Sequence, residues 1–353
     1  MKKIILAVCL WCLFLPLTRV EAAMIGKQQE INMGKEVAQQ LENQYGLVHD
    51  EELQERVNRL GQSLVQYSDR KDLNYTFKVL NSQDVNALAC PGGFIYVFKG
   101  LVDFMPSDAE LAGVLGHEIG HVVKRHTVHQ VEKQLALSLL TLVAGVAAGD
   151  GGAGLILATT TSQALMAGYS RHDEGEADVQ GLTLTQKAGY NPYGLYVTMR
   201  KLNDLSKERN LPTYGIFSSH PDSALRVERA QKALAQLQIT PKVALEDNGA
   251  KATLTDGRWK FTLGQTIGSD KPEYRADLMA GALYAIKRQK PVDETHFITV
   301  DGDNFSQVYY EDREIVKLFP IDCPAGLSVS DYAGQVASQL QLWAQEVNKQ
   351  GVK

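Results

Sequence analysis

Apolar and polar positions along the chain fall into several distinct rhythms, and each rhythm predicts an element. The chain opens on Lys2-Lys3, runs almost wholly apolar from Ile4 to Leu17, and reaches Val20-Glu21-Ala22 before Ala23. A basic start, a short apolar run and small residues at a cut site read as a secretory signal peptide, with cleavage expected after Ala22. The run is too short to read as a membrane span. Helical periodicity then covers Gln28 to Gln44 and Glu51 to Gln66, with Gly46-Leu47-Val48 between them. Tyr75 to Leu80 reads as a strand, and so does Phe94-Ile95-Tyr96-Val97-Phe98, rich in β-branched and aromatic residues. Ser107-Asp108 offers an N-cap to a helix whose apolar residues recur through Ala109 to Gly116 and beyond. From Gln134 to Met166 the chain is apolar and Gly/Ala-rich, interrupted by Gly149-Asp150-Gly151-Gly152. Each arm falls short of the ~20 residues that cross a bilayer. The reading is a buried or cleft-covering helical hairpin, with a membrane-dipping loop as the alternative.

Leu237 to Ala252, with Pro241, Asp247, Asn248 and Gly249, reads as a linker. Beyond it the rhythm changes to strands at Trp259–Leu263, His296–Val300 and Gln307–Tyr310. These alternate with helices at Arg275–Arg288 and Asp331–Val347, the latter with Ser330 as N-cap. No internal repeat stands out, and this module carries no metal spacing and no nucleophile constellation.

The 353 residues suffice for two domains with a sizeable core. The formal net charge of −5, without a basic stripe or aromatic–basic interleaving, argues against a nucleic-acid partner. Cys9 and Cys12 leave with the signal peptide, and Cys90 and Cys323 remain as a pair that can bridge in an oxidising compartment.

The chemistry concentrates at His117-Glu118-Ile119-Gly120-His121. On a helix, residues four apart share a face, so both imidazoles reach one metal ion. Glu118, beside the first ligand, is placed to take a proton from a polarised water and pass it to a leaving amine. A buried helix with two satisfied histidines is the plainer reading, but a charged Glu between them fits it poorly. A catalytic zinc takes three protein ligands and keeps one open position. His126 lies five residues after His121, on a different face of a continuous helix, and Lys124 and Thr127 stand where a metzincin has Gly and His. Downstream, Glu174 and Asp178 are again four apart. If that segment is helical, Glu174 reaches the metal and Asp178 accepts a hydrogen bond from a ligand imidazole. Asp173 and Glu176 compete as ligands, and a solvated acidic face is the alternative. Pro91-Gly92-Gly93 permits close backbone approach before Phe94 and Ile95. An edge strand there would bind a peptide by strand addition; an ordinary turn before a core strand is the simpler option. His220 and Arg226 taken alone read as an exposed loop histidine and a surface ion pair.

These segments together resemble one family of zinc metallopeptidases, the one that includes the CAAX prenyl protease, HtpX, BepA and LoiP, and most strongly its soluble secreted branch. The resemblance covers roughly residues 27–235. It rests on Asn86 to Val97, Gly100-Leu101, Glu110 to His121, Arg125-His126, Ser170-Arg171, Glu174-x-x-Ala177-Asp178, Ser219-His220-Pro221 and Arg226, in matching order. It implies zinc ligands His117, His121 and Glu174, with Glu174 favoured over Glu176. It also implies that His220 comes near the metal, either to stabilise an oxyanion or to fill the open position. Arg226 then holds that loop or contacts substrate, alongside Gly92, Gly93, Phe94 and Ile95. The family often has Phe in place of Leu88 and varies at Cys90.

The expected fold is α+β: a mainly helical zincin-type domain with a small sheet (23–236), after the signal peptide (1–22), then a linker (237–252) and a small α+β module (253–353). The expected activity is zinc-dependent peptide hydrolysis on unfolded or misfolded envelope polypeptides in the periplasm, with one Zn2+ per chain. Peripheral membrane contact stays open, as does the oligomeric state. A chaperone-like envelope factor with latent proteolysis and a structural zinc protein are the competing readings. A structural site has no use for a free Glu118.

Overall fold

The computed structural model describes residues 25–143, 160–165, 167–209, 220, 223–289 and 291–350. The signal-peptide reading, the tip of the expected hairpin and the residues flanking His220 lie outside them. Its organising element is a helix at Asp108–Val123 that is buried on all sides from Glu110 to Val122. Ser107 caps it, its hydroxyl accepting from the Glu110 amide at 3.3 Å. Lys27–Tyr45 (α1) and Glu51–Val65 (α2) precede it, as the periodicity predicts. A three-stranded sheet follows: Thr76–Leu80 (β1), Ala87–Cys90 (β2) and Phe94–Phe98 (β3). A short helix Lys99–Phe104 (α3) leads into the buried Asp108–Val123 helix (α4).

β3 is not an edge. The strand order is β1-β3-β2, with β3 parallel to β1 and antiparallel to β2. Both of its hydrogen-bonding edges are taken, so Phe94 and Ile95 are not free to add a substrate strand. The neighbouring glycines serve the protein's own packing. A Cβ on Gly34 of α1 would lie 1.7 Å from the Pro91 carbonyl oxygen, and one on Gly92 would lie 2.7 Å from Ile31 Cα. The Pro-Gly-Gly turn is therefore where α1 meets the sheet.

After α4 the chain continues as His126–Val143 (α5), Arg171–Lys187 (α6), Gly194–Arg209 (α7) and Ser223–Gln236 (α8). α4 and α6 cross at very short range because small residues face each other. A Cβ on Gly120 would lie 2.9 Å from Ala177 Cα, and one on Gly116 would lie 3.1 Å from the Gly181 carbonyl oxygen. Interaxial distance follows the size of the side chains at the contact. Each of these glycines stands immediately before a histidine, so the same crossing turns His117 and His121 towards α6.

The expected linker is shorter than 237–252. Lys242–Glu246 (β4) pairs with Lys251–Asp256 (β5), which pairs with Trp259–Leu263 (β6), before helix Pro272–Lys287 (α9). The pattern then recurs: Phe297–Gly302 (β7), Phe305–Tyr310 (β8) and Arg313–Leu318 (β9) form a second antiparallel meander, followed by Val329–Gln350 (α10). The module is thus a β-β-β-α unit built twice, a repeat that its dissimilar turns conceal in the sequence. Its two meanders and two helices share one apolar core. The α10 N-cap is Ser328, whose hydroxyl accepts from the Asp331 amide. Cys90 and Cys323 are both free thiols.

α9 docks on α7 through ion pairs. Arg200 meets Glu273 and Asp277, and Asp204 accepts from Lys271 Nζ and Tyr274 Oη. Lys201, 1% exposed, places its ammonium 2.8 Å from Glu110 and 2.7 Å from Asp270. No helix among the described residues is long and apolar enough to cross a membrane.

Candidate metal centre

Four side-chain atoms from three segments converge in the interior. α4 supplies His117 Nε2 and His121 Nε2, 3.0 Å apart. α6 supplies Glu174, whose Oε1 is 3.4 Å from His121 Nε2 and whose Oε2 is 3.6 Å from His117 Nε2. His220 brings Nδ1 to 3.0 Å from Glu174 Oε1 and 3.2 Å from His117 Nε2. All four residues are buried. A tetrahedral zinc with ligands at about 2.1 Å separates its donors by about 3.4 Å. The observed spacings bracket that value, and two imidazoles, a carboxylate and a third imidazole are donors that zinc accepts. The residues present fit the ion.

Local sequence explains why Glu174 faces inward. Ser170 opens α6 with a reciprocal capping box to Asp173: the Asp173 amide donates to Ser170 Oγ, and the Ser170 amide to Asp173 Oδ2. Asp173 Oδ2 is thereby spent on the cap, and Oδ1 is left facing His126 rather than the four donors. Glu174 and Asp178 face α4, while Glu176 points to the outer side, 3.1 Å from Lys124.

Around the donors lies a polar shell. Asp178 Oδ1 is 2.9 Å from His117 Nδ1, the nitrogen away from the convergence point. Arg226, 7% exposed, donates Nε and Nη2 to Asp178 at 3.0 and 2.7 Å and places Nη1 2.8 Å from Glu174 Oε2. This guanidinium is committed to two carboxylates of the site; it is neither a surface ion pair nor a free substrate contact. Burial acts to raise the Glu174 and Asp178 carboxyls, and Arg226 outweighs it, holding both below the usual range. Burial and the neighbouring His117 push His121 well below the usual imidazole range, so it stays neutral, as a metal ligand requires. At His220 burial acts downward, but Glu174 and Glu118 outweigh it and raise the group.

Glu118 is 1% exposed, and neither of its oxygens has a hydrogen-bond partner. Its Oε1 lies 3.5 Å from His220 Nε2. Burial pushes its carboxyl above the usual range. A buried carboxylate without partners is costly unless its surroundings supply a proton or a cation.

Tyr169, which the sequence did not single out, and His126, which spacing set aside as a ligand, complete the wall. The Tyr169 ring stacks on His121, centroids 3.7 Å apart, with its hydroxyl 2.9 Å from Thr127 Oγ1. His126 lies 2.9 Å from His121, Nδ1 to Nδ1. The expectation that it falls on a different face assumed a continuous helix. Instead α4 ends at Val123, Arg125 turns left-handed at φ 57°, and His126 begins α5 folded back on the site.

Comparison with known proteins agrees with this geometry. The model of peptidase family M48 matches residues 51–234, over half of the chain. The β-barrel assembly-enhancing protease of Yersinia pestis is 30% identical over 240 residues, covering 64% of this chain and 48% of that one. Metalloprotease YcaL of Escherichia coli is 31% identical over 225 residues, 62% of this chain and 82% of YcaL. Metalloprotease LoiP of the same organism is 34% identical over 187 residues, 51% and 69% respectively. The chain spans about half the length of the assembly-enhancing proteases it matches.

Proposed function

The chain belongs to peptidase family M48, and from that premise we propose that it is a zinc-dependent endopeptidase of the bacterial envelope. The observation that carries the reading is the unpartnered Glu118 carboxylate, buried beside four converging donors. His117, His121 and Glu174 would hold the ion, with His220 in reach of its fourth position. When bound, zinc supplies Lewis-acid polarisation of water and of the scissile carbonyl. Glu118 takes up the proton at its carboxylate and returns it to the leaving amine. Asp178 accepts from His117 Nδ1–H and so keeps Nε2 turned inward. Arg226 holds Glu174 and Asp178 in place.

Among the described residues the sheet edge next to α4 is β2, so an extended substrate would add beside Ala87–Cys90. The basic–apolar–small N-terminus supports a periplasmic location, and a relative named for enhancing β-barrel assembly supports envelope polypeptides, unfolded or misfolded, as substrates. The test is hydrolysis of unfolded model proteins by the mature protein. Glu118→Gln should retain one zinc per chain and lose about 10²–10⁴-fold in rate, because the amide does not accept the proton. A chelator should abolish wild-type turnover. Normal turnover by Glu118→Gln sinks the assignment of the base.

One observation favours a second, compatible reading, latent proteolysis. With His220 in place, four protein donors would leave a bound ion no open position. His220→Ala should then raise basal hydrolysis several-fold at unchanged zinc content. A loss instead would mean that His220 serves the reaction directly.

A further inference from the structure

His126 has no part in that scheme, yet it is 4% exposed and its Nδ1 lies 2.9 Å from His121 Nδ1. Two imidazole nitrogens at that distance share one hydrogen, so one ring donates and the other accepts. The donor set decides which. His121 presents Nε2 to His117 and Glu174, so in the neutral ring the hydrogen sits on Nδ1. His121 therefore donates, and His126 accepts at Nδ1. This fixes the second ring in turn. Its own hydrogen sits on Nε2, which is 3.3 Å from Glu176 Oε2 and 3.8 Å from Asp173 Oδ1.

We propose that His126 is the positioning residue for the metal ligand His121, through an imidazole–imidazole–carboxylate chain that runs from the site to Glu176, with the Asp173 charge nearby. The proposal rests on the zinc reading above. It gives the two ligand histidines of α4 different supports: His117 is oriented by a carboxylate directly, His121 by a second imidazole with carboxylates behind it. A neutral imidazole is a weaker acceptor than a carboxylate, and the outer carboxylates restore part of the polarisation by acting on its far side. His126, Asp173 and Glu176 also converge closely enough to hold a cation of their own. An ion on His126 Nε2 would move its hydrogen to Nδ1 and set two N–H donors against each other at the His121 contact. Occupancy there opposes occupancy of the main site, so the zinc-loaded protein should carry one ion per chain.

The test uses the full mature chain. Zinc affinity is measured by competition with a chromophoric chelator, zinc content by metal analysis, and histidine tautomers by 15N NMR of the zinc-loaded wild type. His126→Leu removes the acceptor and should weaken zinc binding by about 10–100-fold. His126→Gln keeps an acceptor oxygen and should recover most of that loss. The His126 15N signals should show a bare Nδ1 and a protonated Nε2. Wild-type affinity in a folded His126→Leu, a protonated His126 Nδ1, or two zinc ions per chain each overturns the proposal. If His126→Leu does not fold, the wild-type tautomer decides alone. A wild type that binds no zinc overturns the peptidase reading itself, a result distinct from unchanged affinity in the variant.

Discussion

The metal centre and the core of the C-terminal module are both buried, yet they are filled with opposite material. Between α4 and α6 lie Glu118, Glu174, Asp178, Arg226 and four histidines, all at single-digit exposure, and several of their polar atoms lack a partner. The module's core is Ala, Leu, Ile, Val, Met, Phe, Tyr and Trp packed from two meanders and two helices. The first interior is held together by the polar contacts among its own groups and by the helices that surround it. The second is held together by its own burial. Mutations in the two should therefore separate stability from metal binding.

Gly120→Val should have the largest effect. Even a Cβ at this position meets the Ala177 backbone at 2.9 Å, and a branched side chain forces α4 from α6. Zinc binding and activity should both be lost, measured as metal content and turnover; stoichiometric zinc in this variant would show that the crossing does not set the site. Trp343→Ala addresses the other interior. Trp343 is 2% exposed on α10, and its indole Nε1–H donates to Asp256 at 3.0 Å. Its removal should lower stability by about 3–5 kcal/mol in denaturant unfolding, with zinc content unchanged. The smallest effect is expected at the seam. Burial raises Asp277 to about 7 despite Arg200 nearby. A folded value above the unfolded one means that stability falls as pH rises from about 4 towards 7, where the unfolded chain has released the proton and the folded one still binds it. Asp277→Asn should flatten that dependence, so that its stability relative to wild type is higher at pH 8 than at pH 4. A constant difference across that range would assign the shift elsewhere.

What was legible in the sequence follows the range of the contacts. His117, Glu118, His121, Glu174 and Asp178 sit on helices at four-residue spacing, so periodicity alone puts each pair on one face. His220 and Arg226 reach the site from far along the chain, and only the resemblance pointed to them. His126 was misplaced because one left-handed residue, Arg125, breaks the helix that spacing assumed unbroken. The reading of β3 as an edge failed for a related reason. Composition reports that a strand is apolar, and it does not report which strands flank it; the partners Thr76–Leu80 and Ala87–Cys90 both precede it in sequence. Likewise β4 was hidden in the supposed linker, because Lys242–Glu246 is a mostly exposed edge strand whose apolar residues, Val243-Ala244-Leu245, do not alternate with polar ones.

The ammonium of Lys201 changes where the catalytic domain can be said to end. Counted along the chain, that domain closes with α8 at Gln236. Counted by charge, it does not, because Lys201 lies between Glu110 on the metal-bearing helix and Asp270 in the module. Tyr274 of α9 likewise sits in one apolar cluster with Leu195 and Leu234. A chain cut after α8 would lose one of the two carboxylates that neutralise a buried cation, and would open that cluster to water. Removing one partner of such a buried arrangement costs about 3–5 kcal/mol, a large fraction of what keeps a domain folded. The catalytic half and the module are therefore one unit of folding.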